Sequence, residues 1–201
     1  MGTRHIIAVK EDGKFKVFNY GQWDGYPEGQ GVTVLDFLQK MDLSVFREHL
    51  NKIHFVTEEE YHQWWRDIGV DLNKCNGFVN STDSDKFYED KPQLSRDMGA
   101  NILTYILETE SPVLMPCTLG NGFAGTWCEW FYVIDLDQMK LSVFDSYIFE
   151  DERDVDIDDE NVEIDESTLI YLESKARATF NLEDLPTKDD FINNFRNKDD
   201  E

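Results

Sequence analysis

Basic residues are scarce in this chain. It has 19 lysines and arginines against 42 aspartates and glutamates in 201 residues, a formal net charge of −23. A surface this negative repels DNA, RNA and anionic lipid. No local basic patch offsets it, because the densest basic group, Lys10, Lys14 and Lys16, stands beside Glu11 and Asp12. Direct nucleic-acid binding is therefore not expected. Cysteine is scarce as well. Cys75, Cys117 and Cys128 are odd in number, widely spaced and without a CxxC pair. That pattern argues against a disulfide framework and a zinc ribbon, and for reduced thiols in a cytoplasmic protein. No apolar run reaches the roughly 18 residues of a membrane-spanning helix, so no membrane association is expected. The opening MGTRHII is too short an apolar stretch for a signal peptide, and Ile6 stands where a myristoylation signal needs Ser or Thr.

Apolar residues are plentiful, at 40% of the chain with 13% aromatic, enough to bury a core. The acidity is local. Residues 150–166, EDERDVDIDDENVEIDE, hold eleven carboxylates and one arginine, a net of −10. Residues 183–201 add a net of −4. The expected organisation is a globular core over 1–149, with an acidic segment and a C-terminal helix over 150–201 packed on it or appended to it.

Residues 4–10 and 14–20 read as two strands joined by Glu11-Asp12-Gly13, a hairpin signal. Residues 21–31, GQWDGYPEGQG, predict an irregular loop, unusually aromatic for its kind. Helices are expected over 32–40 and 43–53, with Val34, Leu35, Leu38 and Met41 on one face and Phe37 off that stripe. Thr57 and Glu60 form a capping box for a helix ending near Gly69. Residues 71–92 read as loop, and Pro92 as the start of a helix to about Leu107. A second hairpin joins 126–135 to 140–148, its first strand apolar on both faces and so central in a sheet. Residues 168–180 read equally as strand or helix. Thr187 caps a short last helix. The fold class is α+β, with N- and C-terminal hairpins in a sheet and helices between them.

One candidate site is the aromatic glycine loop. Arg4, Tyr20, Gln22, Trp23, Asp24, Tyr26 and Glu28 could line a small ligand pocket, the rings for stacking and the polar groups for directional hydrogen bonds. The competing reading has Trp23, Tyr26 and Pro27 pinning the loop to the sheet. The loop is no GxGxxG or P-loop, and Asp24 and Glu28 oppose a phosphate. The opening MGTRHIIAV with FNYGQWDGYPEGQG resembles a family of uncharacterised phage, bacterial and fungal proteins that begin Met-Gly-Thr-Arg and carry a Trp-Asp-x-Tyr-Pro-Glu-Gly loop. The resemblance covers about residues 1–35. It implies one shared site for Arg4, Trp23, Asp24, Tyr26, Pro27 and Glu28, and no known activity.

Catalytic readings have less behind them. Thr3 on a first strand looks like an N-terminal nucleophile, but that chemistry uses the nucleophile's own α-amine, and removal of Met1 leaves Gly2. The cysteines could pair with His5, His49, His54 or His62, but no motif joins them. Asp154, Asp156 and Asp158 copy the first ligands of a calcium loop, with Asp159 where its glycine belongs. No cofactor is expected.

The second candidate site is the acidic stretch. Glu150, Asp151, Glu152, Asp154 and Asp156 lead it, followed by Asp158, Asp159, Glu160 and Glu163. Val155, Ile157, Val162 and Ile164 are interleaved with them, which a purely solvated tail does not need. The expected partner is a basic protein surface, such as a groove on a host nucleic-acid-binding or defence protein. The phage-like resemblance makes an inhibitor the leading class. The alternative is a small-ligand binder, or an N-terminal-nucleophile-like hydrolase, around Arg4.

Overall fold

Asp12 and Gly13 both take positive φ, 53° and 72°. Two consecutive left-handed residues make the tight turn whose twist matches paired strands, and Asp-Gly is the dipeptide that tolerates it. Strand β1 (His5–Glu11) therefore folds back on β2 (Lys14–Gly21). The computed structural model describes residues 2–75, 78–115, 128–145 and 174–196. Within them the architecture is α+β, as the sequence predicts.

Further along, a π-helical turn (Pro27–Gly31) runs directly into α1 (Val32–Lys40), followed by α2 (Leu43–Leu50). Strand β3 (His54–Phe55), α3 (Glu58–Asp67), α4 (Ser81–Asp90), a 3-10 turn (Pro92–Leu94) and α5 (Asn101–Glu108) come next. Strands β4 (Val113–Leu114), β5 (Trp130–Asp135), β6 (Lys140–Asp145) and β7 (Ala178–Asn181) then precede α6 (Lys188–Asn193).

The main sheet has the order β2-β1-β5-β6-β7, and β3 and β4 form a separate parallel ladder. Strands β1 and β5 run parallel at the centre, and every other neighbouring pair in the main sheet is antiparallel. All seven residues of β1 are buried. Ile7, Val9, Tyr132, Ile134, Leu141 and Val143 face the main core, where α1, α2, α5 and α6 supply Leu35, Phe46, Leu103 and Phe191. Ile6, Ala8, Phe131 and Phe144 form a second cluster on the opposite face, joined by Cys128. A central strand apolar on both faces is what the sequence of β5 implied. Phe37, off the α1 stripe, finds its second contact in Phe46, with ring centroids 5.1 Å apart.

Two helix boundaries differ from the sequence reading. The polar stretch 71–92 contains α4, capped by Asn80, whose side chain accepts from Asp83 N at 3.0 Å. Its only buried residue is Phe87, which stacks on Trp65 of α3 at 4.0 Å and 3°. Tyr61 also meets Phe87 and Tyr88 also meets Trp65, edge to face, so an aromatic cluster holds a helix that has almost no apolar periodicity. The helix expected from Pro92 stops after one 3-10 turn and restarts at Asn101. Gly99 has φ +52°, and a Cβ there would lie 2.6 Å from Gln30 Oε1, so the chain must bend where Gln30 inserts.

The C-terminal segment completes the sheet. Thr187 Oγ1 accepts from Asp190 N at 3.2 Å and caps α6 as expected. The ambiguous stretch 168–180 ends in β7, and its residues 168–173 lie outside the described ones. Strand β5 starts at Trp130 and β6 ends at Asp145, with 126–127 and 146–148 likewise outside. Among the described residues, no helix is long and apolar enough to cross a membrane.

Where β1 and β5 end together, polar groups close the sheet. Lys10 Nζ meets Asp135 Oδ2 at 2.9 Å, both side chains nearly buried. Arg47 of α2 donates to Glu11 Oε1 at 2.8 Å and to the Leu136 carbonyl at 2.7 Å. Asp137 accepts from Asp12 N and Gly13 N at 2.8 and 2.9 Å, fixing one hairpin turn against the other.

Candidate functional site

The aromatic loop lies at the opposite end of the sheet, where β1 begins and β2 ends. Its glycines are demanded by packing. A Cβ at Gly21 would lie 2.1 Å from the His5 ring, and one at Gly29 would lie 2.3 Å from the Asp24 carbonyl oxygen. Backbone ties do the rest. Gly25 N donates to Thr3 O at 2.9 Å, Gln30 N to Asp24 O at 2.9 Å, and the buried Tyr132 hydroxyl to Gly25 O at 2.7 Å. Asp24 sits at φ +56°, a left-handed position that Asp tolerates better than most residues.

With the backbone fixed, the large side chains turn outward. Tyr20 is 38% exposed, Trp23 48% and Tyr26 41%. Each ring is held by a polar neighbour. The Tyr20 hydroxyl donates to Gln22 Oε1 at 2.9 Å, Trp23 Nε1 to Asp97 Oδ1 at 2.8 Å, and the Tyr26 hydroxyl to Asp24 Oδ1 at 3.2 Å. The Asp24 charge and its hydrogen bond raise the Tyr26 phenol above its ordinary pKa. Pro27 is buried and starts the π-helical turn, while Glu28 in that turn is exposed. The structure thus brings the loop residues onto one rigid outward ridge, pinned from below by Pro27 and the glycines.

Arg4 approaches the ridge at Tyr20. It lies within hydrogen-bonding reach of the phenol, which burial pushes above its ordinary pKa while Arg4 and Arg96 pull it down. Beside Tyr20 runs a groove of about 160 Å³. Strand β2 from Val17 to Tyr20 forms one wall, Gln93–Arg96 another, and Phe55, Leu114 and Met115 of the β3–β4 region the third. Tyr20 lines it. Trp23, Asp24, Tyr26 and Glu28 do not. The residue the sequence reading missed is Arg96, an exposed arginine in a turn without a motif. Its position is fixed by Gln22 N, which donates to the Arg96 carbonyl at 3.0 Å, a contact between distant parts of the chain that nothing in the local sequence reveals.

The histidines and thiols are placed as follows. His5 is fully buried, and neither ring nitrogen has a well-aligned hydrogen-bond partner among the described residues. Burial lowers its pKa to about 4, against the smaller opposing pulls of the Thr3 backbone and the Asp24 charge. His49 Nδ1 lies 3.0 Å from the Ile106 carbonyl, and His54 Nε2 lies 2.9 Å from Glu60 of the α3 capping box. Cys75 is half-buried and Cys128 buried. Desolvation raises the Cys128 thiol to about 11, the opposite of an activated nucleophile. Among the described residues, no three His, Cys, Asp or Glu side chains converge as a metal site. The acidic docking segment 150–166, its calcium candidates Asp154, Asp156 and Asp158, and Cys117 lie outside the described residues.

No family model matches the chain, and neither does a curated protein or a solved structure.

Proposed function

We propose that this protein is a non-catalytic binding module that engages a basic surface on another protein, with the Tyr20–Glu28 ridge as its specific contact. The observation that supports this is the pairing of exposed rings with carboxylates: Trp23 with Asp97, and Tyr26 with Asp24, next to Glu28. A ring face beside a carboxylate favours an arginine or lysine, with about 0.5–2 kcal/mol from each cation–π contact. Trp and Tyr on a preorganised backbone also lose little entropy on binding and dominate interface energies. The net charge of −23 adds fast, salt-sensitive association with a positive surface. Residues 150–166, with a net charge of −10, add to the attraction for such a partner in the same reading. A host nucleic-acid-handling or defence protein, inhibited by occupation of its basic groove, is the partner class that the phage-like resemblance favours.

Calorimetry of the full chain with an arginine-rich peptide, at low and physiological salt, tests this. Trp23→Ala should weaken binding about tenfold at either salt concentration. Neutralising 150–166 should flatten the salt dependence. Unchanged affinity in Trp23→Ala removes the ridge from the reading, and unchanged affinity in both variants removes the reading itself.

A further inference from the structure

The groove beside Tyr20 differs chemically from the rest of the molecule. The chain carries 42 carboxylates, yet none of the eleven residues lining the groove is acidic. Among the described lining residues its one charge is Arg96, which is exposed and makes no side-chain hydrogen bond or ion pair with another described residue. Tyr20 lies close enough to feel that charge, and Ser95 precedes it in the same wall. The far wall is apolar. Phe55 is 40% exposed and Met115 44%, with the buried Leu114 between them. One end therefore favours an anion and the other an apolar group.

Size narrows the occupant. An apolar cavity of about 150 Å³ takes a single benzene ring. The groove, at about 160 Å³, has room for one side chain with an attached carboxylate. A C-terminal residue carries both groups on one Cα, whereas an internal residue brings two flanking peptide units. We propose that this groove binds the C-terminal residue of a partner polypeptide, its apolar side chain against Phe55, Leu114 and Met115 and its terminal carboxylate on Arg96 and Tyr20. This mode of recognition, terminal carboxylate plus one anchor side chain, differs in chemistry from the cation-binding ridge, with Tyr20 bordering both.

The test uses the full chain and a short synthetic peptide ending in leucine, as the free acid and as the C-terminal amide. Backbone amide shifts at Asn19, Leu94–Arg96 and Leu114 report binding in the groove. The free acid should shift them saturably, and the amide should bind at least about tenfold more weakly, the loss expected for one charge-assisted hydrogen-bond pair. Arg96→Gln should abolish that preference, and Met115→Ala should weaken both peptides. Both substitutions are at exposed side chains, so folding is kept. Equal binding of acid and amide, no shifts at millimolar peptide, or equal competition by hexanoate would each overturn the proposal. Trp23→Ala should leave peptide binding intact while Arg96→Gln leaves binding of the arginine-rich probe intact, so this proposal and the ridge can fail separately.

Discussion

At His5, burial and basicity are in direct conflict. The imidazole is fully buried without a well-aligned partner for either nitrogen among the described residues, so the neutral form is the one that folds. Its pKa falls from an ordinary 6.5 to about 4. Above pH 6.5 both folded and unfolded chains hold it neutral. Below that, the unfolded chain takes up a proton that the folded one refuses until about pH 4. Stability should therefore fall as pH drops through this window, by an amount on the order of 3 kcal/mol. Urea denaturation of the wild type and His5→Gln at several pH values isolates the contribution, since the glutamine variant lacks it. A slope equal in both proteins contradicts the assignment. Asp24 offers a second residue-level check. Its left-handed φ of 56° makes Asp24→Gly nearly neutral for folding, while the β-branched Asp24→Val should cost about 1–3 kcal/mol.

At the level of elements, the ends of β1 and β5 show how polar groups stabilise a buried edge. Lys10 and Asp135 neutralise each other, and Asp135 also accepts from Asp137 N and Gln138 N at 2.9 and 2.8 Å. Asp135→Ala should cost about 3–5 kcal/mol in chemical denaturation, because Lys10 is left charged and nearly buried. The double variant Lys10→Met with Asp135→Leu should recover much of that loss. These elements also separate what was legible in the sequence from what was not. The hairpin turn at Asp12-Gly13, the Thr57 and Thr187 caps and the two-faced β5 each rest on neighbouring residues, so local pattern reveals them. Helix α4 buries only Phe87, and β3 and β4 are two residues each. Their reasons for existing lie in distant contacts. The same holds for the site: the ridge is contiguous in sequence, but Arg96 reaches the groove only through tertiary packing.

Across the whole molecule, the described C-terminal residues are part of the core. Strand β7 pairs with β6, and Phe191, Ile192 and Phe195 are buried among the main-core side chains. Arg177 fastens this segment, donating to the Phe195 carbonyl at 2.7 Å and to Asp145 at 3.0 Å. Deleting residues 174–201 should abolish cooperative unfolding, as read by near-ultraviolet circular dichroism, because it removes the Phe180, Phe191 and Phe195 contacts that no other described element replaces. A truncated chain with a native-like transition would show that the rest of the molecule folds alone.

The parallel pairing of β1 with β5 also sets an order of events during synthesis. The β1–β2 hairpin can close within microseconds of leaving the ribosome. Its other edge must wait for a partner about 125 residues downstream, the separation of Lys10 from Asp135. At about 5–20 residues per second, that delay is roughly 6–25 s. Throughout it, a nascent strand whose seven residues are all destined for the interior presents an open edge to solvent or to any chaperone within reach.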